Sequence, residues 1–340
     1  MLQTEKTMTT EEQALLTAVR DGDQTAFGAI ANRYRAELRV HCYRMLGSLA
    51  DSEDLVQETL LKAWRGRSSF EGRAALRSWL YRIATNACLD FLEARKQRSS
   101  GGVVTSAEAQ LGSQPHIGWL QPYPDRLLEG IAAAPDARLV SREALELGYM
   151  VALQCLPAKQ RAALICCDVL DWSAQETAEA LSLSVAAVNA ALQRARATLE
   201  NEQETGIRRR SAGTSAQEQA VLEAYVKATE ELDNAALTAL LREDLRSSMP
   251  PNPVGYTDRD SAVAGWIEGG YGSGEYSDLR CLVTRANRLP AVAVYRRPPG
   301  AAKYVPMALD VLVVEHGRVT EITTFDLSNV VDELGLPREL

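Results

Sequence analysis

Residues 171–200 read DWSAQETAEALSLSVAAVNAALQRARATLE, and they predict two short helices joined by a tight turn. Ser173 is followed three residues later by Glu176, and this pair forms a capping box that starts a helix. The letters LSLS make the turn, and Ser184 can cap the second helix. The small residue Ala178 lies where two helices must approach closely. The stretch is therefore typical of a helix-turn-helix.

The second of these helices has an apolar face and a polar face. Helical spacing turns one set of side chains inward, namely Val185, Val188, Leu192 and Leu199. It turns another set outward together, namely Asn189, Ala190, Gln193 and Arg194. The outward set fits the DNA major groove, where Asn or Gln pairs with adenine and Arg with guanine or phosphate. The alternative is a helical hairpin in a bundle, with a solvated face.

An acidic helix is predicted earlier in the chain, at residues 51–64, DSEDLVQETLLKAW. Asp51 or Ser52 can cap its start. Three side chains share its outer face at helical spacing, namely Asp54, Gln57 and Glu58. The inward stripe is Val56, Leu60, Ala63 and Trp64. The outer face would repel DNA phosphates and suits a positively charged protein partner, and the alternative is a solvated surface helix.

The charge inverts immediately afterwards, because residues 70–98 hold six Lys or Arg residues against three acids. Trp79 and Tyr81 are interleaved with the cations, and Phe91 lies nearby. Aromatic rings among cations are typical of proteins that bind unpaired bases, which stack on the rings while the cations hold phosphate. The alternative places Trp79 and Phe91 in the core and leaves the cations solvated. The cations are Arg73, Arg77, Arg82, Arg95, Lys96 and Arg98.

The C-terminal part of the chain has a different character. The chain has 340 residues and a net charge of −8, of which residues 214–340 contribute 12 Lys or Arg against 19 Asp or Glu. One amphipathic helix from Ser215 precedes strand-like runs, LRCLVTRA, AVAVYRR and ALDVLVVEHGRVTEITTFDL. His316 and Gly317 interrupt the last run as a hairpin turn. This part is predicted to be α+β and to do a different job from the rest.

Several function classes are disfavoured by composition. No run of eighteen apolar residues occurs and the N-terminus lacks an apolar segment, so we expect a cytoplasmic protein with no membrane partner. The six cysteines are scattered and only three histidines occur, so we expect no metal site. Asp310 and Asp326 lie in strand-like runs, but no acid–base constellation surrounds them. We therefore predict a protein that is not an enzyme and needs no cofactor. The residues that could line a cavity are Trp266, Tyr256 and Met249.

Taken in order, these pieces resemble the extracytoplasmic-function (ECF) group of the sigma-70 superfamily, which keeps only regions 2 and 4. The stretches that carry the resemblance are DGDQTAFGAIANRYR, DSEDLVQETLLKAWRG, RSWLYRIATNACLDFLEARKQR and LPAKQRAALICCDVLDWSAQETAEALSLSVAAVNAALQRAR. The C-terminal part is similar, less closely, to SnoaL-like domains, in which a curved sheet and helices surround a pocket. The resemblance implies a multidomain protein with two all-α sigma domains and one α+β domain. The implied divisions are region 2 at 11–98, a linker at 99–143, region 4 at 144–200, a hinge at 201–213 and the SnoaL-like domain at 214–335.

The resemblance also implies roles for particular residues. Its partners would be core RNA polymerase, through the β′ and β subunits, and promoter DNA. The acidic helix would dock on a coiled coil of β′ through Asp54, Gln57 and Glu58. The −10 element would be read by Arg73, Arg77, Trp79, Arg82 and Asn86, with Asn86 at an extruded base. The −35 element would be read by Asn189, Ala190, Gln193 and Arg194. Many relatives carry Lys or Arg in place of Asn189, so we expect modest −35 affinity.

The linker contains a WLQPYPD element similar to one found in a few ECF sigma factors, formed by Trp119, Pro122, Tyr123, Pro124 and Asp125. A rigid segment of this kind loses little entropy on docking. It could pack on its own domain, on the C-terminal domain or on region 2. The C-terminal domain is expected to modulate activity, with a possible small-molecule ligand or protein regulator. The alternative for the whole chain is a ligand-sensing helix-turn-helix regulator that acts without polymerase, which leaves residues 51–98 unexplained.

Overall fold

The computed structural model describes residue 14 and residues 17–70, 76–99, 119–128, 145–205 and 215–340. The described residues form two compact units, and the chain passes from one to the other between residues 99 and 119, after residue 151 and after residue 202. The first unit comprises 17–70, 76–99 and 152–202, and the second comprises 119–128, 145–151 and the described residues from 203 onward. Arg73 lies outside the described residues. Within them, every helix is too short or too polar to cross a bilayer.

Three helices form the first part of the first unit: α1, Gln24–Leu46; α2, Leu49–Arg65; and α3, Leu76–Ser99. They pack against one another around fully buried side chains such as Leu38, Cys42 and Leu80. Gly47 follows the last residue of α1 and adopts a left-handed backbone conformation that terminates the helix. Only Ser48 separates Gly47 from α2. Ser48 is therefore the cap of α2, and its Oγ accepts a hydrogen bond from the backbone N–H of Asp51 at 3.2 Å. The predicted caps Asp51 and Ser52 are wrong, because both already lie in the first turn.

Four helices follow in the chain: α4, Leu147–Cys155; α5, Ala158–Leu164; α6, Ala174–Leu181; and α7, Val185–Thr205. Helices α6 and α7 form the predicted helix-turn-helix. The capping box of Ser173 and Glu176 is present, and Ser184 Oγ accepts a hydrogen bond from the backbone N–H of Ala187 at 3.1 Å. The predicted inward stripe needs one correction, since Val185 is exposed at the first turn of α7. Alanines complete the buried stripe, which consists of Val188, Ala191, Leu192 and Ala195.

The second unit is built on a six-stranded sheet in the order β2-β1-β6-β5-β4-β3. All neighbouring pairs are antiparallel except β1 and β6, which are parallel. The strands are β1, Leu241–Met249; β2, Asn252–Tyr256; β3, Leu279–Ala286; β4, Leu289–Arg296; β5, Val305–Glu315; and β6, Arg318–Asp326. The helices are α8, Ser215–Glu231; α9, Asn234–Leu240; α10, Arg259–Glu268; and α11, Val331–Leu334. The α+β prediction is confirmed, and the predicted runs became β3 to β6.

One face of this sheet packs against α8, α9 and α10. The core between them includes Tyr225 of α8, Leu237 of α9, Val292 of β4 and Leu312 of β5. The predicted hairpin turn joins β5 to β6, because His316 and Gly317 both adopt positive φ, 51° and 74°. A second turn of the same kind joins β3 to β4 through Asn287 and Arg288, at φ 53° and 62°. Two-residue turns with positive φ at both positions match the twist of the flanking strands.

Candidate protein and nucleic-acid interfaces

The outer face of α2 presents the three side chains that were predicted to bind a protein. Asp54, Gln57 and Glu58 are exposed, whereas Val56 on the opposite side is fully buried. Glu58 pairs with Lys62 one turn on, Oε1 to Nζ at 2.8 Å, and both side chains remain largely in solvent. Such a pair contributes only a few tenths of a kcal/mol and leaves the carboxylate available to a partner.

Leu61 belongs to the same face and was missed by sequence analysis. It is 55% exposed, more than any other large apolar residue among those the structure describes. It lies three residues after Glu58 and four after Gln57, so the three side chains are neighbours on the helix surface. The signal was the helical spacing of Leu61 from Gln57 and Glu58, which places it on the outer face and not on the stripe of Val56, Leu60 and Ala63. We call Asp54, Gln57, Glu58 and Leu61 the acidic face.

The aromatic and basic residues of α3 are divided between two faces. Trp79, Arg82 and Asn86 share one face at i, i+3 and i+7, with Arg82 and Asn86 exposed and Trp79 half-buried. The Trp79 ring packs on Phe70 with ring centroids 4.9 Å apart. Trp79 and Phe70 help to line a shallow cleft beside this face. Its other polar or aromatic lining residues are Arg20, Phe27 and Arg67.

This cleft combines guanidinium groups with aromatic rings. The Arg20 guanidinium lies 5.8 Å from the centroid of the Phe70 ring. The Arg67 guanidinium lies 4.2 Å from the centroid of the neighbouring Trp64 ring. The Arg67 Nε is buried and has no hydrogen-bond partner. Rings and guanidinium groups of this kind suit the stacking of an unpaired base.

Arg77, which was predicted to contact DNA, forms an ion pair with Glu37 in this structure. Its Nε and Nη2 donate to Glu37 Oε2 on α1 at 2.8 and 2.5 Å, and the Tyr81 hydroxyl donates to the same oxygen at 3.0 Å. Burial, together with the charge of Glu37, raises the pKa of Tyr81, so the hydroxyl stays protonated. Arg77 therefore ties α3 to α1 in this structure, and the geometry does not bring it together with Arg82 and Asn86.

Asn86 contacts the helix-turn-helix directly. Its Nδ2 donates a hydrogen bond to the carbonyl oxygen of Ala180, in the last turn of α6, at 3.2 Å. Helix ends leave several carbonyl groups without partners inside the helix, and Asn86 satisfies one of them here. The residue that the resemblance places at the −10 element thus lies against region 4.

The exposed surface of α7 carries the predicted DNA-reading residues. Asn189, Gln193 and Arg194 are exposed, and Ala190 between them is half-buried. Arg196, by contrast, forms a two-bond ion pair with Asp168, Nη2 to Oδ1 at 2.6 Å and Nε to Oδ2 at 3.1 Å. The amide groups of Asn189 and Gln193 and the guanidinium of Arg194 can therefore face a groove together.

The WLQPYPD element packs against the β3–β4 turn within the second unit. Tyr123 is fully buried, and its backbone N–H donates to Asn287 Oδ1 at 2.7 Å. The backbone N–H of Asn287 donates in return to the Tyr123 carbonyl at 2.8 Å. Pro122 and Pro124 are also buried, and Pro124 forms a bridge with Ala286 of β3.

Two further contacts complete this docking. Asp125 Oδ1 accepts a hydrogen bond from the backbone N–H of Arg288 at 2.7 Å. Asn287 Nδ2 donates to the carbonyl of Leu145 at 2.8 Å, so one buried side chain holds chain segments on both sides of residues 129–144. Trp119 at the start of the element is exposed. Of the places where the element could pack, the structure shows the C-terminal domain.

The candidate acids of the C-terminal domain have structural partners. Asp310 is buried, and it accepts hydrogen bonds from the Tyr225 hydroxyl at 3.1 Å and from Thr324 Oγ1 at 2.6 Å. Burial raises the pKa of Asp310, and the two hydroxyl groups oppose that rise only in part. Asp326 caps the turn after β6 by accepting from the backbone N–H of Ser328. Neither arrangement provides an acid and a base that face a common substrate.

Sequence comparisons place the chain in a known family. The profile for Sigma-70 region 2 matches residues 30–98, and that for Sigma-70 region 4 matches residues 148–199. Over 325 residues the chain is 37% identical to the ECF RNA polymerase sigma factor SigG of Mycobacterium tuberculosis, covering 94% of this chain and 86% of that relative. The chain belongs to the ECF RNA polymerase sigma factors.

Two other ECF sigma factors match over a shorter part of the chain. SigW of Bacillus subtilis is 30% identical over 184 residues, covering 54% of this sigma factor and 92% of SigW. The sigma-E factor of Escherichia coli strain K12 is 29% identical over 198 residues, covering 58% and 97%. The crystal structure of the ECF sigma factor SigJ of Mycobacterium tuberculosis shares the fold of the whole chain, with a TM-score of 0.57, 21% identity and coverage of 92% and 99%.

Membership in this family settles the broad function. The protein is a transcription factor that directs initiation, binds core RNA polymerase and promoter DNA, and is not an enzyme. The alternative of a regulator that acts without polymerase is therefore wrong. The helical regions are followed by an α+β domain built on the mixed six-stranded sheet and its helices.

Proposed function

We propose that this sigma factor docks on core polymerase through the acidic face of α2, and that the C-terminal domain modulates promoter-specific initiation in the cytoplasm. The acidic face suits a basic surface of the β′ subunit because Asp54 and Glu58 are exposed. Leu61 adds an apolar side chain that becomes buried only in a complex. Binding energy at interfaces concentrates in a few desolvated side chains surrounded by polar ones.

Promoter reading is divided between two helices. The face of α3 formed by Trp79, Arg82 and Asn86 would meet the opened −10 element, with the adjacent cleft available for a base. The exposed residues of α7 would read the −35 element, with Asn189, Gln193 and Arg194 at base edges or phosphates. We keep Arg73 and Arg77 as proposed phosphate contacts, and Arg77 would first have to release Glu37.

One observation above all supports modulation by the C-terminal domain: hydrogen bonds join the Asn287 side chain to both Tyr123 and Leu145. The segment that joins region 2 to region 4 is bound by the third domain. A domain that holds this segment changes how far and how freely the two DNA-reading regions can move. A small-molecule ligand or a protein that binds the C-terminal domain would act on initiation by the same route.

Transcription in vitro with core polymerase tests this role. The variant Asn287→Gly removes both side-chain hydrogen bonds but tolerates the positive φ of the turn. The matched control is His316→Gly, because exposed His316 occupies the equivalent position of the other two-residue turn. We expect promoter output to change in Asn287→Gly and in a chain cut after Gly213, but not in the control.

The C-terminal domain would have no part in the mechanism if Asn287→Gly, the truncated chain and the intact protein gave equal promoter output. The three are compared at equal protein levels and over a range of salt concentrations. Holoenzyme assembly is measured separately, because a loss of assembly would indicate that the acidic face, and not the C-terminal domain, is responsible. A loss of assembly in the control would instead indicate general misfolding.

A further inference from the structure

The first residue of helix α7 is an exposed valine. Val185 is 36% exposed, whereas Val188, three residues further along the helix, is fully buried. Helical spacing predicted both on the inward stripe, and the structure exposes the one at the first turn. In a helix-turn-helix, the first residues of the second helix are those that contact base edges in the major groove. An apolar side chain therefore stands at the end of α7 that enters the groove.

The turn before α7 fixes the direction of this side chain. Ser182 ends α6 with a left-handed backbone, φ 54° and ψ 45°. The backbone N–H of Leu183 donates to the carbonyl of Ala178 at 2.9 Å, and Ser184 caps the first turn of α7. Because hydrogen bonds hold both ends of this short turn, Val185 is presented in one orientation. A contact that is organised in advance loses little entropy on binding.

Val185 begins a row of side chains that includes two proposed base readers. Asn189 and Gln193 follow it at i+4 and i+8, and both are exposed. Residues four apart are neighbours on a helix surface, and each such step advances about 6 Å along the axis at about 1.5 Å per residue. Base pairs are stacked about 3.4 Å apart, so Val185 would face a base pair roughly two steps from the one at Asn189.

This part of the helix-turn-helix carries no charged side chain. From Ala180 to Gln193 the sequence contains neither an acid nor a cation, and the first guanidinium beyond this run belongs to Arg194. The first two turns of α7 therefore present amides and methyl groups to DNA, and no side-chain cation to its phosphates. Phosphate contacts position a protein, whereas contacts with base edges specify sequence. An uncharged surface of this kind is suited to specifying sequence.

A valine has one matching partner among the base edges. Thymine presents a methyl group in the major groove, at C5, whereas the other bases present hydrogen-bond donors and acceptors there. A valine placed against a donor or an acceptor removes water from it without replacing the hydrogen bond, which costs free energy. Against the thymine methyl group, the same valine buries apolar surface on both sides.

We propose that Val185 is a specificity-determining residue of region 4, and that its methyl groups contact the C5-methyl group of a thymine in the −35 element. This inference rests on the proposed function of α7 as the reader of that element. The contact contributes a factor of about three to five in affinity, as expected for burial of one methyl group. It leaves the salt dependence of binding unchanged, because an uncharged side chain releases no counterion from a phosphate.

Deoxyuridine, which is thymidine without the methyl group, tests this contact. The probe is the promoter duplex that wild-type holoenzyme binds most tightly in a selection from a random-sequence DNA pool. Each thymine of its −35 element is replaced in turn by deoxyuridine. Affinities are measured at several salt concentrations for holoenzymes that contain the full-length wild-type chain or Val185→Ala. The matched control is Val283→Ala, which makes the same change at an exposed valine of β3 in the second unit.

We expect deoxyuridine at one position to weaken wild-type binding about three- to fivefold. That position should lie within about two base pairs of the one where Asn189→Ala relaxes specificity. Val185→Ala should weaken binding to the thymine duplex by a similar factor, and deoxyuridine should then cause no further loss. The melting temperature should not fall, since alanine is the better helix former at an exposed site. The slope of affinity against salt should be that of wild type, and the control should match wild type on every duplex.

The proposal is overturned if wild-type binding is insensitive to deoxyuridine at every −35 thymine, or if the sensitive position responds equally in Val185→Ala. A selected −35 element with no thymine on either strand overturns it as well. Asn189→Ala separates these results from a failure of the proposed function. If Asn189→Ala and Val185→Ala both keep wild-type affinity and sequence preference, α7 is not the −35 reader. If only Asn189→Ala loses them, α7 reads the element without Val185.

Discussion

A Cβ atom at Gly47 would stand 3.1 Å from both Cγ and Cδ of Gln154. Gly47 also has φ +71°, a backbone conformation that side chains disfavour by about 1–2 kcal/mol. Glycine is needed here twice, for the end of α1 and for the approach of region 4. We expect Gly47→Ala to destabilise the first unit by about 1–2 kcal/mol in denaturant unfolding. Gly28→Ala in α1 is the control and should be neutral or stabilising, since its Cβ would meet nothing within 4 Å.

Charge reversal on the acidic face should separate polymerase binding from folding. We expect Glu58→Lys to weaken core binding at least tenfold in a pull-down or titration, because a basic partner would meet a like charge. The melting temperature should barely change, since the pair with Lys62 is exposed. Glu223→Lys on α8 makes the same charge change at an exposed site of the second unit. Equal core affinity in the two variants would contradict the assignment.

Leu61 offers a test of the same face that leaves charge unaltered. We expect Leu61→Ser to lower core affinity about tenfold, because a leucine buried in a complex contributes roughly 1.5–3 kcal/mol. The folded chain loses little, since Leu61 is mostly exposed already. Ile267→Ser, which removes another exposed apolar side chain from a helix, should bind core as wild type does. Wild-type core affinity of Leu61→Ser would exclude this leucine from the interface.

Asn86 should act differently on matched and mismatched promoters. We expect Asn86→Ala to reduce open-complex formation more at the cognate −10 sequence, because base contacts specify whereas phosphate contacts only position. The loss at that position should be about 1–3 kcal/mol of discrimination, measured by permanganate footprinting. Arg82→Ala on the same face is the comparison and should weaken all promoters alike. A uniform loss in Asn86→Ala would identify a structural residue.

Asp310 should make the second unit sensitive to pH. Its pKa is raised above the ordinary 3.8 by burial, so the folded state binds the proton more readily than the unfolded state. The stabilisation is complete below pH 3.8 and is lost as pH rises through the folded-state pKa. We therefore expect Asp310→Asn to melt higher than wild type at neutral pH, with the difference shrinking toward pH 3.8. A pH-independent difference between the two melting curves would refute this account.

The helices and the later strands could be predicted from sequence because their signals are local. Capping boxes and apolar spacing identified α6 and α7, and the His316 and Gly317 turn identified the β5–β6 hairpin. Strand β1, LREDLRSSM, was not predicted because its sequence is mostly polar, and only Leu241, Leu245 and Ser247 are buried. Its pairing with β6 comes from tertiary structure, which overrides local propensity.

The interfaces were predicted less completely, and for a similar reason. The exposed residues of α2 and α7 follow from helical spacing alone. The ion pair of Arg77 with Glu37 and the bond of Asn86 to Ala180 join residues 40 and 94 positions apart. No local pattern encodes such partners. Asn287 was missed as well, although a two-residue turn between strand-like runs was available as a signal.

Under the proposed modulation, the two bonds of the Asn287 side chain would let the second unit limit the reach between the sigma regions. Because Tyr123 and Leu145 are fastened to one side chain, the roughly twenty residues between them add no length to the path from region 2 to region 4. From the end of α3 at Ser99, about two dozen residues remain, which reach at most about 85 Å when fully extended. Elements centred on −10 and −35 lie about 25 base pairs apart, roughly 85 Å along the duplex at 3.4 Å per base pair, so this reach leaves no slack. Releasing Asn287 would nearly double the tether, and under the proposed modulation the tolerated spacer length would be a property that this domain sets.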